Sequence, residues 1–309
     1  MASPFGPLTL IVNPVSGRGR VAEALPKIEA ELRAADLGYG LAVTRGPGDA
    51  TRAACAAAEA GGRFIVAVGG DGTIHEVVNG MLAPDGRPVV DGAVLGVIAA
   101  GSGSDFVRTF DLPSDWAAAC TRLVGDATRP IDIGKVTYVD HPSGVEATRF
   151  FANIAEVGLG AAVVDRAARL PRSAGRSRYL AALWMVLPRF HATRIRLEVD
   201  GRAFAGRVHN VVVANCRYFG GGMHVSPASQ PDDGTFEVLV FKGPKSQSFT
   251  FAPKVYRGTH LPHEDIAELT ASHVLVTADR VLPIEADGEL LGGTPATFEA
   301  LRTPLLLKV

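Results

Sequence analysis

Apolar runs of five residues alternate with longer alanine-rich stretches in the first part of the chain. The runs cover residues 8–12, 64–68 and 94–98, and each leads into a turn rich in Gly or Ser. A helix-permissive stretch, residues 21–35, follows the first turn. Short β-branched runs separated by helical segments are typical of parallel strands joined by crossover helices. We therefore predict an α/β domain with a three-layer parallel sheet over residues 1–132.

The pattern changes after residue 132, where strand-like segments follow one another with Gly, Pro and Asp turns between them. The segments are 149–154, 194–199, 207–214, 235–241, 273–277 and 281–285. This pattern predicts a second, mainly β domain over residues 133–309. The sequence does not decide whether the last residues belong to this domain or to the first one. Without a long linker, we expect the two domains to share a cleft.

Composition excludes several classes of protein. The 309 residues are 47% hydrophobic and 20% charged, which excludes a disordered or collagen-like chain. The formal charge of -1 gives no global attraction to nucleic acid, so no nucleic-acid partner is expected. Cys55, Cys120 and Cys216 are far apart and lack the spacing of a zinc site. No secretion signal and no stretch of about 20 apolar residues is present, so we expect a cytoplasmic protein.

The near-zero charge conceals an uneven distribution. Residues 1–132 carry 11 basic and 15 acidic groups, a net of -4, whereas residues 133–309 carry 20 and 17, a net of +3. Eight arginines and no acidic residue lie within 166–196, around the apolar run 179–187. Arginines beside an apolar segment with Trp184 favour transient docking on an anionic membrane surface. A buried helix is the alternative, since the run is apolar on all sides.

Three turns carry the candidate chemistry. Backbone amides of Gly69-Gly-Asp-Gly-Thr73 would face phosphate oxygens at a helix N-terminus. Asp71 would repel a phosphate there unless it bound a cation or faced an attacking hydroxyl, so it is a candidate magnesium ligand or base. A plain strand-to-helix turn capped by Asp71 is the alternative. The Gly/Ser turns at 16–19 and 101–104 are weaker evidence of a ligand site when each is taken alone. Because the carboxyl ends of parallel strands lie at one edge of the sheet, we expect all three turns to converge there.

These motifs occur in an order that resembles the diacylglycerol kinase catalytic-domain family. They are Asn13-Pro-Val-Ser-Gly17, Gly69-Gly-Asp-Gly-Thr73 with His75-Glu-Val-Val-Asn-Gly80, Gly101-Ser-Gly-Ser-Asp-Phe106 and Glu285-Ala-Asp-Gly-Glu289. The resemblance covers nearly the whole chain. It implies a phosphofructokinase- or NAD-kinase-like first domain, a β-sandwich-like second domain with the active site between them, and transfer of a phosphoryl group from ATP to a lipid with Mg²⁺.

The resemblance also implies a nucleotide site in the first domain. Its expected residues are Asn13, Ser16, Gly17, Thr44, Gly70, Gly72, Thr73, Gly101, Ser102, Gly103 and Ser104. Asp71, Asp105 and Asp132 resemble the acidic residues that organise Mg²⁺ and its waters. Ser104 stands where the commoner motif has Asn, which shortens one donor.

Two further sets of residues follow from the resemblance. Asp287 and Glu289 resemble the pair that activates the lipid hydroxyl, although Asp287-Gly288 is also a sequence typical of a hairpin turn. The turn at 230–235 resembles a structural magnesium site, with Asp233 as a side-chain ligand and Gln230 and Thr235 as backbone ligands. Without the resemblance this turn predicts only the start of a strand.

We predict an ATP-dependent kinase that phosphorylates the hydroxyl of diacylglycerol to give phosphatidate. Sphingoid-base kinases carry an acidic residue at the position of Ala162, so a neutral lipid is favoured, although Asp165 is close in sequence. The alternatives are another lipid, such as a sphingoid base, a ceramide or phosphatidylglycerol, a soluble acceptor such as NAD, and a non-catalytic sensor. We expect a peripheral protein at the inner membrane surface, and a homodimer is compatible with the sequence.

Overall fold

The structure is a computed structural model that describes residues 3–100, 104–141, 143–171, 177–244 and 248–309. The chain divides into two compact units. Unit 1 comprises residues 1–133 and 301–309, and unit 2 comprises residues 134–300. Gly101, Ser102 and Gly103 of the expected nucleotide site, and Arg172 and Arg176 of the arginine-rich stretch, lie outside the described residues.

Unit 1 is an α/β unit built on a parallel sheet. Its elements are β1 (Leu8–Val12), a 3-10 turn (Ser16–Gly19), α1 (Arg20–Ala34), β2 (Tyr39–Val43), α2 (Asp49–Glu59), β3 (Phe64–Gly69), α3 (Asp71–Met81), β4 (Val94–Ala99), α4 (Asp105–Thr109) and α5 (Trp116–Arg122). The strands lie in the order β4, β3, β1, β2, all parallel. Strand β3 is central and buried at every position. It therefore reads as a continuous apolar run, as strands covered on both faces do.

Alternation along β3 explains why helices cover both faces of this sheet. Phe64, Val66 and Val68 belong to the core that also contains the buried stripe of α1 and residues of α5. Their neighbours Ile65 and Ala67 point to the other face, since successive side chains of a strand alternate. On that side α2 and α3 pack against each other and against β1 and β3. The result is the three-layer arrangement expected of crossover connections.

Unit 2 is mainly β. Its elements are β5 (Thr128–Asp140, which begins in unit 1), β6 (Val145–Phe151), β7 (Ile154–Gly158), α6 (Leu159–Ala168), α7 (Ser177–Val186), β8 (Thr193–Val199), β9 (Arg202–Val208), β10 (Asn210–Ala214), β11 (Tyr218–Phe219), β12 (Met223–His224), β13 (Phe236–Phe241), α8 (Ser248–Arg257), β14 (Ile266–Ala271), β15 (His273–Ala278), β16 (Pro283–Ala286) and β17 (Glu289–Lys308, which ends in unit 1). Strands β14, β13, β10, β7, β16 and β17 lie side by side, and the pairs among them are antiparallel.

The two faces of the sheet formed by β7, β10 and β13 pack against different parts of unit 2. Ala155, Val157 and Val213 point into the main core of unit 2, which has a sandwich-like arrangement. Ile154 and Val212 point to the opposite face and pack in a second cluster with Phe251 of α8. The second face is therefore covered by helices, and Glu156, between Ala155 and Val157 on β7, belongs to it by alternation.

Several strands differ from the sequence-based boundaries. The predicted strand 149–154 is broken at residues 152–153 between β6 and β7, where the backbone amides turn to the carboxylate of Asp287. The predicted strand 207–214 is two strands, because β9 pairs with β8 whereas β10 pairs with β7 and β13. Strand β14 and the long strand β17 were not predicted, and neither has a strictly alternating apolar pattern.

Helix α7 contains most of the apolar run 179–187 and is not buried. Ala182 is buried, whereas Leu180, Trp184 and Met185 have 53%, 49% and 40% of their surface exposed. The alternative of a buried helix is therefore wrong for this part of the chain. None of the helices formed by the described residues is both long and apolar enough to span a bilayer.

Candidate active site

The turn after β1 is shaped by one glycine. Gly17 has a φ of 61°, and a Cβ there would collide with the carbonyl oxygen of Ala100 at the end of β4. A positive φ and a close backbone approach both require glycine at this position. Asn13 precedes the turn, and its side-chain amide donates a hydrogen bond to Thr73 Oγ1 at 3.2 Å. The first and second predicted turns therefore lie together, as expected for neighbouring parallel strands.

The turn after β3 places an acidic residue at a helix N-terminus. Asp71 is the first residue of α3, and Gly70 and Gly72 flank it. Free amides and the helix dipole make this end attractive to a phosphate group. Thr73 itself is buried, where its side chain packs beside Gly69 and accepts the bond from Asn13. Thr73 thus holds the two turns together, while Gly70, Gly72 and Asn13 retain exposed surface.

Two of the predicted magnesium ligands are neighbours. Asp71 Oδ1 accepts a hydrogen bond from the backbone amide of Phe106 at 3.2 Å, which sets Asp71 beside the start of α4. Asp105, the residue before Phe106, is the first residue of α4 and is buried. Ser104 caps this helix with a φ of 54°. Asparagine tolerates this left-handed conformation better than serine does, which is a physical reason for Asn in the commoner motif.

The third predicted ligand, Asp132, has a different contact. Asp132 is fully buried at the end of unit 1, and its Oδ1 accepts a hydrogen bond from the backbone amide of Thr303 at 2.6 Å. Across the described residues, no group of three or more His, Cys, Asp or Glu side chains is close enough to hold one metal ion. Mg²⁺ is often held by one or two carboxylates together with substrate phosphates and water. Asp71 and Asp105 fit that requirement, and a direct role for Asp132 remains a prediction.

Thr44, the remaining residue predicted to bind the nucleotide, lies after β2. The backbone amide of Thr44 donates to the carbonyl of Val12 at 2.9 Å, so the two strand ends stay together. The following loop leads into α2, and Glu76 of α3 holds the start of that helix. Its carboxylate accepts hydrogen bonds from the amides of Gly48 at 2.9 Å and Ala50 at 3.0 Å. The Glu of the His-Glu-Val-Val motif therefore has a capping role here.

The predicted structural magnesium turn is a compact Asx turn in the structure. Asp233 Oδ1 accepts hydrogen bonds from the backbone amide and the hydroxyl of Thr235, at 2.8 and 2.7 Å. Gln230 is exposed at the start of the turn. These contacts lead the chain into β13, and the magnesium role of Gln230, Asp233 and Thr235 stays a prediction.

Asp287 lies at the centre of a two-residue hairpin between β16 and β17. Asp287 and Gly288 have φ of 52° and 87°, as the tight turn of a β-hairpin requires. The Asp287 carboxylate accepts hydrogen bonds from three consecutive amides, those of Ala152 and Asn153 at 2.9 Å and of Ile154 at 3.2 Å. The side chain is thereby used to hold the hairpin. The Asp287 carboxylate is therefore engaged within the fold, whereas Glu289 is exposed, and the catalytic roles of both residues stay predictions.

A buried pair of glutamates lies next to this hairpin. Glu156 of β7 and Glu285 of β16 are directly opposite each other in the antiparallel register. Glu285 is fully buried, and its Oε2 accepts a hydrogen bond from the amide of Gly288 at 2.8 Å. Within the part of the chain that the structure describes, its Oε1 has no hydrogen-bond partner. Glu156 Oε1 accepts from the side-chain amide of Asn210 at 2.7 Å.

Burial controls the ionisation of both glutamates. It raises the pKa of Glu156 to about 7, and the hydrogen bond from Asn210 offsets part of this effect. Burial raises the pKa of Glu285 well above its usual range, and the charge of Glu156 raises it further. At neutral pH the pair therefore holds at least one proton.

An apolar cavity of about 250 Å³ opens on the helix-covered face of the sheet in unit 2. Its walls are supplied by aliphatic and aromatic residues of α6, α7, α8 and β13, among them Val164, Leu183 and Phe251. Glu156 and Asn210 contribute polar groups to the same wall. Leu180 and Tyr256, each with 53% of its surface exposed, are the part of the lining that reaches the surface. A cavity with apolar walls and a few polar groups suits an aliphatic ligand.

Sequence reasoning missed the residues of this cavity. Glu156 is the single charged residue of segment 150–158 and lies between the apolar residues Ala155 and Val157, and that interruption is a signal in the sequence. Glu285 belongs to the motif Glu285-Ala-Asp-Gly-Glu289, but the sequence analysis predicts no role for it. The pairing of the two residues depends on which strands are neighbours, and the sequence does not contain that information directly.

Comparison with known proteins identifies both parts of the chain. Residues 7–136 match the model of the diacylglycerol kinase catalytic domain, and residues 153–309 match the YegS C-terminal NAD kinase beta sandwich-like domain. A diacylglycerol kinase of Bacillus subtilis is 32% identical over 94% of this chain and 91% of its own length. A diacylglycerol kinase of Staphylococcus aureus is 28% identical over 94% of this chain and 88% of its own length.

A solved structure has the same fold. The crystal structure of a diacylglycerol kinase from Bacillus anthracis superposes with a TM-score of 0.74, at 26% identity over 99% of this chain and 97% of that chain. The α/β unit followed by a sandwich-like unit is therefore confirmed.

The hairpin contacts predict a difference in stability between two neighbouring acidic residues. Asp287→Ala removes the acceptor of three amide hydrogen bonds, so we expect the free energy of unfolding to fall by about 2 to 3 kcal/mol. Glu289→Ala changes an exposed side chain two residues away and should alter it by less than about 0.5 kcal/mol. Urea unfolding followed by circular dichroism measures both values. Equal effects of the two substitutions would contradict the role assigned to Asp287.

The glutamate pair predicts that stability depends on pH. The folded protein keeps a proton on Glu156 up to about pH 7, whereas the unfolded chain loses it near the ordinary value of about 4.3. The stabilising contribution is therefore complete at low pH and is lost as pH rises through 7. Between pH 5 and pH 8, we expect wild type to lose about 2 kcal/mol more unfolding free energy than Glu156→Gln does. Parallel pH profiles of the two proteins would refute this assignment.

Proposed function

The chain belongs to the diacylglycerol kinase family, and on that basis we propose that it transfers the γ-phosphoryl group of ATP to the free hydroxyl of diacylglycerol, giving phosphatidate. The observation that carries the choice of a lipid acceptor is the apolar cavity of unit 2. One of its polar lining residues, Glu156, pairs across the strands with Glu285, which is bonded to the hairpin that carries Glu289.

Unit 1 has the features needed to bind the phosphoryl donor. The turns after β1 and β3 are joined by the bond from Asn13 to Thr73, Gly17 allows the close approach of Ala100, and the N-terminus of α3 offers its dipole and backbone amides to a phosphate group. We propose that the exposed parts of these turns, with Ser16 and Thr44, bind ATP.

Asp71 and Asp105 are the residues we propose to hold Mg²⁺. Their carboxylates are hard oxygen ligands beside the proposed phosphate turns, as the bond from Asp71 to the amide of Phe106 indicates. A bound Mg²⁺ neutralises the negative charge that builds up on the transferred phosphoryl group. The amides at the N-terminus of α3 orient the phosphate oxygens from the protein side.

Unit 2 has the features needed to bind the acceptor. The acyl chains of the lipid would occupy the cavity among Val164, Leu183 and Phe251, and burial of this aliphatic surface would supply the binding energy. We propose that Glu289 takes the proton of the attacking hydroxyl, since its side chain is exposed at the hairpin turn. Asp287 positions Glu289 through its three amide contacts and does not itself need to meet the substrate.

Helix α7 supports a peripheral membrane location. It has a buried position at Ala182, cavity-lining positions at Leu180 and Leu183, and an exposed apolar side with Trp184 and Met185. Exposed apolar side chains beside a cavity can insert into the interfacial region of a bilayer. A lipid molecule could then move from the bilayer into the cavity. The cytoplasmic leaflet is anionic, and the arginines before and after α7 would be attracted to it.

The alternative acceptors fit these features less well. NAD or another soluble acceptor has no use for a cavity with aliphatic walls that opens beside exposed apolar residues. A sphingoid base would need a partner for its charged amine on α6. Ala162 cannot provide one, and both carboxylate oxygens of Asp165 accept hydrogen bonds from Arg169 at 2.9 Å. Glu156 and Asp265 are acidic residues of the cavity lining, so the choice of a neutral diacylglycerol rests on the family assignment and on these positions of α6.

Substitution of the proposed catalytic residues tests the reaction. Asp71→Asn and Glu289→Gln should each reduce phosphorylation of dioctanoylglycerol by more than about 100-fold, because one weakens metal binding and the other removes the base. Asp85→Asn and Glu268→Gln change acidic residues outside the proposed site and should retain wild-type turnover. Transfer of labelled phosphate from ATP measures all four variants. Full activity of both Asp71→Asn and Glu289→Gln would refute the proposed site.

Vesicle binding tests the role of α7. The double variant Trp184→Ala/Met185→Ala removes exposed apolar surface without changing the cavity lining. We expect its bound fraction on vesicles containing phosphatidylglycerol to fall about 3- to 10-fold in a sedimentation assay. Val145→Ala, which shortens an exposed apolar side chain on β6, is the matched control. Equal binding by wild type and the double variant would exclude α7 as the membrane contact.

A further inference from the structure

Unit 2 has a second concave site, an arginine-lined groove that shares no residue with the apolar cavity. The groove has a volume of about 640 Å³ and is bordered by the start of β8, the end of β9 and the connection from β15 to β16. Its described lining residues include Arg194, Arg207 and Arg280, one acidic residue, Asp279, and His191. With His191 neutral, three positive groups and one negative group give the lining a net charge of +2. This charge favours an anionic ligand.

Two of the groove arginines are directly opposite each other. Arg194 of β8 and Arg207 of β9 are partners in the antiparallel register. Like charges at directly opposite positions of two strands destabilise the pairing. Among the residues that the structure describes, neither of these arginines forms an ion pair. An anion bound between the two guanidinium groups would remove their repulsion, so this arrangement is more stable with a negatively charged ligand.

Oxygen atoms of the segment before and at the start of β8 hold two of the guanidinium groups in place. The Arg207 side chain donates a hydrogen bond to the carbonyl oxygen of Ala192 at 3.2 Å. The Arg280 side chain donates to the hydroxyl oxygen of Thr193 and to the carbonyl oxygen of His191. A guanidinium group has five N–H donors, so both side chains keep donors for a ligand. Guanidinium groups that are already oriented suit the paired hydrogen bonds by which arginine binds phosphate.

The groove adjoins the end of α7, whose exposed apolar side chains include Trp184 and Met185. The backbone amide of Phe190 donates to the carbonyl oxygen of Val186, in the last turn of α7, at 2.9 Å. The Arg280 guanidinium lies over the Phe190 ring, 5.8 Å from its centroid. A phospholipid can use both features, because its phosphate is negatively charged and its bilayer accepts apolar side chains. A soluble phosphate compound would use the arginines alone.

We propose that the groove of Arg194, Arg207 and Arg280 is a binding site for the phosphate group of an anionic phospholipid headgroup. The inference goes beyond the proposed phosphoryl transfer and shares with it only the contact of α7 with the bilayer. It differs from a general attraction of arginines to a negative surface, because these three side chains converge on one groove. A phospholipid bound there would hold unit 2 on the membrane and leave the apolar cavity open to the substrate.

Vesicle binding by variants of equal charge tests the site without any phosphoryl transfer. Arg194→Gln/Arg207→Gln removes two groove arginines. Arg196→Gln/Arg202→Gln removes two exposed arginines of the same strands that do not line the groove, and it is the matched control. The full chain is sedimented, without ATP, with phosphatidylcholine vesicles that contain phosphatidylglycerol. We expect the partition coefficient to fall about 10-fold or more in the groove variant and less than about 3-fold in the control.

Two further measurements identify the ligand chemistry. Vesicles in which cholesteryl hemisuccinate replaces phosphatidylglycerol, matched in zeta potential, offer a carboxylate as the added anion, and wild type should bind them about 5-fold more weakly. Glycerophosphoglycerol is the same headgroup without acyl chains. It should raise the melting temperature of wild type and of Arg196→Gln/Arg202→Gln at constant ionic strength but not that of Arg194→Gln/Arg207→Gln, because a ligand stabilises only a chain that binds it. This measurement also shows that the variants fold.

Equal vesicle binding by the two double variants would overturn the proposal, since it would show a general attraction to negative charge. Equal binding of wild type to the phosphate and carboxylate vesicles would overturn it as well. A melting temperature that glycerophosphoglycerol raises through the groove, with no effect of the groove arginines on vesicle binding, would assign the site to a soluble phosphate compound instead.

Failure of the proposed function is a separate result. A chain that shows the expected difference between the double variants but transfers no phosphate to dioctanoylglycerol refutes the kinase proposal alone. A chain that phosphorylates dioctanoylglycerol, with equal vesicle binding by both double variants, refutes the groove proposal alone.

Discussion

The contact on which unit 2 most depends joins the Asp287 carboxylate to the amides of residues 152–154. It interrupts the strand between β6 and β7 and fixes the hairpin of β16 and β17 beside β7. This pairing sets Glu285 opposite Glu156 and leaves Glu289 exposed at the turn. One acidic side chain therefore determines where three others lie, and its backbone contacts explain why a carboxylate, with two oxygen acceptors, occupies this position.

The glutamate pair shows how an apolar sheet can present polar chemistry. Ala155 and Val157 face the main core, whereas Glu156 faces the helix-covered side. One strand therefore contributes both to the packing of the core and to the lining of the cavity. Burial makes both carboxyl groups hold protons to higher pH, which reduces the charge that the fold must accommodate.

Three strands of unit 1 could be predicted from the sequence, because the runs 8–12, 64–68 and 94–98 each end in a Gly-rich turn. The observed bounds of β1, β3 and β4 agree with these runs to within one residue. The Gly-rich turns follow from the same pattern, whereas the roles of single residues such as Asn13 and Thr44 were implied only by the family resemblance. The pairing of Glu156 with Glu285 could not be found in this way, since it depends on which strands are neighbours, although the isolated charge of Glu156 is visible in the sequence. The exposure of α7 was equally hidden, because an apolar run does not specify what covers it.

The most direct test of the account is a competition between acceptors. Wild-type protein would be incubated with labelled ATP, Mg²⁺ and equal concentrations of dioctanoylglycerol, sphingosine, phosphatidylglycerol and NAD, and the labelled products separated by chromatography. The account predicts that the label enters phosphatidate. Label in NAD or in sphingosine phosphate, with none in phosphatidate, would contradict the central claim that the cavity of unit 2 selects a neutral acylglycerol for phosphorylation.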